Sequence, residues 1–89
     1  MLYLITYDLK SPGRDYSSLY NQIKSYGEWW HYIDSTWIIK TDNSIEEVSN
    51  SIRKMMDIND CLLIVEITNC KRNGWLRKSA WDWISTRDY

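Results

Sequence analysis

Two stretches of this chain are apolar on both faces of an extended strand, and they constrain the fold more than any other feature. Residues 2–8 read Leu-Tyr-Leu-Ile-Thr-Tyr-Asp, and residues 61–68 read Cys-Leu-Leu-Ile-Val-Glu-Ile-Thr. Strands that are apolar on both faces are usually covered on both faces. We therefore expect helices on one face of a sheet and a second body on the other. A homodimer is the simplest second body, and a C-terminal segment that folds back is the alternative.

The sequence between these two strands shows helical periodicity and capping signals. Asp15 is the predicted N-cap of a first helix, and Gly27 lies where a left-handed C-cap belongs. Ser44 and Glu47 form a capping box at the start of a second helix. The predicted strands are residues 2–8, 29–33, 35–41 and 61–68, and the predicted helices are about 16–26, 45–56 and 77–84.

The element order β-α-β-β-α-β is that of the ferredoxin-like α+β folds. It predicts a four-stranded antiparallel sheet with two helices on one face, and right-handed crossovers place the first and third strands at its centre. A chain of 89 residues suits a single domain. We assign residues 1–68 to its core and residues 69–89 to a basic, Trp-rich tail that carries the short C-terminal helix.

The charge distribution argues against nonspecific nucleic-acid binding by the whole surface. The tail, however, is basic enough to bind nucleic acid. The net charge is −1, yet residues 1–70 carry −4 and residues 71–89 carry +3. No apolar run approaches the ~20 residues that span a bilayer, and no signal-peptide pattern is present. Cys61 and Cys70 lack metal-ligand spacing. We expect a cytoplasmic protein with no membrane partner.

Asp8 and His31 are the residues best suited to chemistry. Asp8 ends the first strand, where its carboxylate either accepts backbone N–H groups from the following loop or binds a metal. His31 is the only histidine, and it suits a general base for a ribose 2′-hydroxyl or an acid for the leaving group, with Ser35 or Asp34 as its partner. The alternative for His31 is a packed ring with one nitrogen hydrogen-bonded.

Basic and aromatic side chains form two candidate nucleic-acid-binding groups. Lys10 and Arg14 lie in the loop after Asp8, although no recognised phosphate-binding motif is present. The tail sets basic residues among tryptophans, which suits either nucleic acid or a clasp over the sheet or a neighbouring subunit, and we favour the clasp. The predicted tail contacts to nucleic acid are Arg72, Arg77 and Lys78, and the predicted interface residues are Tyr3, Trp37, Trp75, Trp81 and Trp83.

Three features together resemble the CRISPR-associated protein 2 family and its relatives, the virulence-associated protein D ribonucleases. The first strand closes in Tyr7-Asp8-Leu9, like that family's Tyr-Asp-Ile. In the segment 31–38, Ser35 and Trp37 fall on the family's serine and aromatic positions. The element order over residues 1–68 is also the same.

This resemblance implies a fold, an assembly and an activity. It implies a homodimer in which paired Asp8 carboxylates hold one Mg²⁺ near the two-fold axis, and a metal-dependent endoribonuclease that hydrolyses phosphodiesters. His31, Ile33 and Ile38 depart from the family's Arg, Gln and acid at these positions. These departures favour the alternative, a non-catalytic dimeric module that binds protein or nucleic acid in a microbial defence or conflict system.

The chain also looks similar, and more closely so, to small proteins filed under "SinR family", a name that implies no activity. This second likeness includes the first strand's Tyr7-Asp8-Leu9 and extends into the tail. Its other matching segments are Trp29-Trp30-His31, Asp34-Ser35-Thr36-Trp37, Gly74-Trp75-Leu76 and Ala80-Trp81-Asp82-Trp83.

Overall fold

A computed structural model describes residues 1–89 and confirms the predicted element order. The strands form one antiparallel sheet, and a third helix follows the last strand. The elements are β1 Leu2–Asp8, α1 Ser17–Lys24, β2 Glu28–Ile33, β3 Thr36–Lys40, α2 Ile45–Arg53, β4 Cys61–Glu66 and α3 Lys78–Arg87. The sheet order is β2-β3-β1-β4, so the first and third strands are central, as predicted.

Both core helices are shorter than their hydrophobic patterns predict, because each ends in tighter turns. The capping box at the start of α2 is confirmed: Ser44 Oγ accepts from Glu47 N at 3.2 Å, and Ser44 N donates to Glu47 Oε1 at 3.3 Å. Past its last residue, Met55 N and Met56 N donate to carbonyls only three residues back. Asp15 accepts a hydrogen bond from Ser17 N, but Tyr16 occupies the N-cap position of α1.

One face of the sheet packs on α1 and α2 and forms the larger core. Alternation along β1 and β3 directs Tyr3, Ile5 and Tyr7, with Trp37 and Ile39, toward the helices. Tyr3 and Trp37 are only 1% and 2% exposed. These two predicted interface residues therefore lie inside the protomer and offer no surface to a partner.

The tail covers part of the other face, so the folding-back alternative is observed. Ala80 and Ile84 of α3 pack on Leu2, Trp30 and Ile38 in a second buried cluster. Trp30 Nε1 donates to the Ala80 carbonyl at 3.1 Å, which anchors the helix to β2.

A second set of contacts joins the two ends of the tail. Arg72 pairs with Asp88 at 2.7 Å and donates to the Ile67 carbonyl, so the loop after β4 is tied to the end of α3. Trp81 and Trp83 are half-buried against the same cluster.

The half of this face near β4 stays uncovered. Leu63 and Val65 point to the same side as the tail but are 59% and 43% exposed. We call these two residues the open strip. The sequence pattern predicted cover over this whole face, and the tail covers only part of it. No helix of the chain is both long and apolar enough to cross a membrane.

Candidate functional site

The end of β1 opens into a polar cavity that contains all three predicted catalytic residues. The cavity has a volume of about 340 Å³. Its walls come from β1, the β2–β3 turn and α1. We call it the Asp8 cavity, and it is lined by Tyr7, Asp8, Leu9, Tyr20, His31, Asp34 and Ser35.

Asp8 presents an exposed carboxylate rather than a turn cap. It is the last residue of β1, opposite Cys61 of β4, and its side chain is 65% exposed. Lys10 Nζ lies 2.8 Å from its Oδ2, and this hydrogen bond and charge raise the pKa of Lys10. Asp8 is therefore free to meet a ligand that competes with Lys10 for its oxygens.

Asp60, which sequence reasoning missed, holds the loop after Asp8 in place. Its carboxylate accepts from Lys10 N at 2.7 Å, from Asp57 N at 2.8 Å and from the Tyr16 hydroxyl at 2.8 Å. Burial raises the pKa of Asp60, but these hydrogen bonds outweigh it and leave the pKa below its usual value. The backbone amide expected to bond to Asp8 bonds to Asp60 instead.

His31 lies flat against the indole of Trp37. The ring centroids are 3.7 Å apart and the planes differ by 16°. Burial against this ring lowers the pKa of His31, Asp34 opposes the shift and Lys24 adds to it. His31 is consequently a neutral imidazole at pH 7, the form that accepts a proton.

Ser35 lies at the tip of the β2–β3 turn in the left-handed region, with φ at 57°. Its carbonyl accepts from Tyr7 N at 3.1 Å, which fixes the turn against the end of β1. This bond explains how residues 27 positions apart in sequence, Asp8 and Ser35, line the same cavity.

Tyr7 also contributes a polar group to the cavity, although sequence reasoning treated it only as a residue of the strand. Its hydroxyl accepts a hydrogen bond from Trp37 Nε1 at 3.0 Å. Burial raises the pKa of Tyr7 despite that bond, and the neighbouring Tyr20 and Asp34 raise it further. The hydroxyl therefore keeps its proton and remains a hydrogen-bond donor.

A single protomer does not contain a complete metal site. No group of three or more His, Cys, Asp or Glu side chains is arranged to hold a metal ion. Mg²⁺ accepts one or two protein carboxylates when waters and substrate phosphates complete its shell. Asp8 is a donor of the right type, but the remaining ligands have to come from outside the chain.

Most of the predicted nucleic-acid contacts have partners within the chain. Arg14 lies 3.6 Å from Asp57, Arg72 pairs with Asp88 and Lys78 pairs with Asp82 at 2.7 Å. Arg77 lies over the Tyr32 ring at 5.9 Å. Of the predicted cations, only Lys10 contacts Asp8. The structure therefore does not bring the basic residues of the tail together with those of the loop after Asp8.

The comparisons with known proteins agree with the fold. The model of the family described as CRISPR associated protein Cas2 matches residues 1–74. No curated protein matches the chain. The likeness to the "SinR family" proteins stays a prediction. Because the match covers all four strands, both core helices and Asp8, the chain belongs to the CRISPR-associated protein Cas2 family.

Proposed function

We propose that this protein is a homodimeric endoribonuclease whose site is the Asp8 cavity. The observation that carries the proposal is that Asp8 lines one polar cavity of about 340 Å³ together with His31 and Ser35, which are more than 20 residues away in sequence. Proteins of the family are generally endoribonucleases and typically dimeric, which supports both parts of the proposal.

The protonation states of the cavity residues suit phosphodiester cleavage. Neutral His31 accepts the proton of the attacking oxygen, a new bond forms to phosphorus, and the bond to the leaving oxygen breaks. The leaving oxygen takes up a proton from water. Protonated Tyr7 donates a hydrogen bond to the phosphate, and the Lys10 ammonium balances its charge.

The open strip explains why two copies belong in this proposal. Leu63 pairs with Thr6, two residues before Asp8, and its side chain points to the same face of the sheet. A second copy that covers Leu63 and Val65 about a two-fold axis brings its own Asp8 toward the first. Two carboxylates then suit Mg²⁺, which when bound neutralises charge on the scissile phosphate.

The first prediction concerns cleavage of RNA. Purified protein is incubated with single-stranded RNA in Mg²⁺, and the cleavage rate is compared with those of Asp8→Asn and His31→Asn. We expect each variant to lose about 10²-fold or more in rate, because each removes a group that acts on the reacting phosphate. Chelation of Mg²⁺ has the same effect.

Asp42→Asn is the matched control, since Asp42 is an exposed acid outside the cavity. Cleavage that survives both Asp8→Asn and the chelator contradicts the proposal. A substrate with one 2′-deoxy residue at the cleaved position tells whether the attacking oxygen is the ribose 2′-hydroxyl or water.

The alternative, a non-catalytic binding module, has one observation in its favour. Lys10 occupies the Asp8 carboxylate at 2.8 Å, and the chain has no group of three or more side chains arranged to hold a metal ion. A folded dimer that binds RNA but does not cleave it under any of these conditions selects the binding module.

A further inference from the structure

A second cavity lies between the tail and the sheet, away from the Asp8 cavity. Its volume is about 240 Å³, smaller than the roughly 300–1,000 Å³ of pockets for drug-sized ligands. Most of its lining is apolar, and Trp30 and Trp81 contribute to it from β2 and α3. We call it the tail cavity. It suits one planar ring system.

Arg72 lines the tail cavity and has one nitrogen without a hydrogen-bond partner. Its two terminal nitrogens bond to Asp88 and to the carbonyl of Ile67. Its Nε, however, is buried and has no hydrogen-bond partner. A buried donor without an acceptor costs free energy.

The rim of the tail cavity combines an exposed aromatic ring with unpaired cations. Trp75 lies between Asn73 and Leu76, which line the cavity, and it is 99% exposed. Lys71 and Arg77 flank this segment and form no ion pair, whereas the other three cations of the tail each pair with an acid. Exposed aromatics among free cations are the features that bind single-stranded nucleic acid.

We propose that the tail binds single-stranded RNA, with one base stacked on Trp75 and a neighbouring base in the tail cavity. Lys71 and Arg77 contact the phosphates. The choice of RNA rests on the proposed function. A duplex is excluded because its bases are stacked and paired and do not reach the cavity.

The test is fluorescence anisotropy of a labelled oligouridine of about ten nucleotides, within the range that single-strand sites cover. Chelator is present throughout, so that binding is measured without cleavage. Trp75→Ala is expected to weaken binding about 5- to 150-fold, the range for losing one stacked base. Because Trp75 is almost fully exposed, this variant retains its fold.

Two further variants test the cavity and the specificity of the effect. Ile33→Trp places a large ring in the wall of the tail cavity from a half-exposed position on β2, and it is expected to weaken binding in the same direction. Ile58→Ala is the matched control, because Ile58 is 84% exposed in the loop before β4 and does not line the cavity.

Three outcomes overturn the proposal. They are unchanged affinity of Trp75→Ala, equal affinity for double-stranded RNA of matched length, and conversion of Trp75→Ala from dimer to monomer, which makes Trp75 a subunit contact. Asp42→Asn, at an exposed acid that lines neither cavity, is expected to bind as the wild type does, and the chelator prevents metal-dependent cleavage throughout the measurement. Failure of the cleavage proposal therefore leaves this binding measurement intact.

Discussion

His31 illustrates how a neighbour across the sheet decides the chemistry of one residue. The sequence presents it as a lone histidine among aromatics, with no sign of its protonation state. Its position on β2 brings it face to face with Trp37 of β3, and the burial that results lowers its pKa. One face of the ring packs on Trp37 while the residue as a whole stays exposed, so packing and proton acceptance are compatible.

We predict that His31 titrates below the usual histidine value of 6.5 in the folded protein. Between its folded and unfolded pKa values the unfolded chain binds more protons, so stability rises with pH through this window and falls as pH drops below about 6.5. Proton NMR of the single imidazole measures the pKa directly.

His31→Phe keeps an aromatic ring against Trp37 and removes the titration. The free energy of unfolding of this variant, measured by denaturant at several pH values, is expected to depend less on pH between about 5 and 7. A His31 pKa at or above 6.5 contradicts the prediction.

The candidate site could be predicted from the sequence only in part, for a reason visible at single residues. Asp8 and Ser35 could be predicted because strand ends and turns have local sequence signals. Tyr7 and Asp60 were not, since their roles depend on hydrogen bonds to Trp37 and to the loop at Lys10, far away in sequence. No local pattern reports such pairs.

At the scale of elements, α3 is the part of the fold that sequence reasoning located but did not place. Periodicity predicted a helix near residues 77–84 and left open whether it covers its own sheet or a neighbour's. The placement depends on a buried cluster of Leu2, Trp30 and Ile38 with Ala80 and Ile84. These contacts span most of the chain length. By contrast, the capping box of α2 is local and was predicted correctly.

Ile84→Ala is therefore expected to destabilise the whole domain and not only the tail. Ile84 is 4% exposed within this cluster, and its truncation should cost about 2–5 kcal/mol of unfolding free energy. Ser85→Ala, at the next, exposed position of α3, should change stability by less than about 0.5 kcal/mol. Urea denaturation followed by circular dichroism measures both, and equal midpoints for the two variants contradict the placement of α3.

At the scale of the whole molecule, the open strip is the surface best suited to a second copy. It is apolar, it lies on the edge strand β4, and it shares a face with Asp8. The apolar pattern of residues 61–68 predicted that this face needs cover. It did not indicate that the tail would stop halfway, because the width that α3 covers depends on the packing of the tail.

We predict that Leu63→Lys converts the proposed dimer into a folded monomer. A charge on a half-exposed position costs the monomer little, whereas at an apolar subunit contact it is buried without a partner. Sedimentation equilibrium at micromolar concentration measures the change. Ile58→Lys introduces the same charge at an exposed apolar residue outside the strip and is expected to leave the dimer intact. Dimers of equal stability in both variants place the subunit contact elsewhere.

The register shift in β2 has a consequence for how copies associate. Pairing between β2 and β3 is interrupted from Trp30 to Ile33, so this border of the sheet is irregular, whereas the β1–β4 ladder is continuous from Tyr3–Glu66 to Asp8–Cys61. Irregular borders resist the addition of another strand. If the two copies of the proposed dimer meet at their regular β4 borders, only the irregular β2 borders stay free, so the pair has no regular border from which a filament grows.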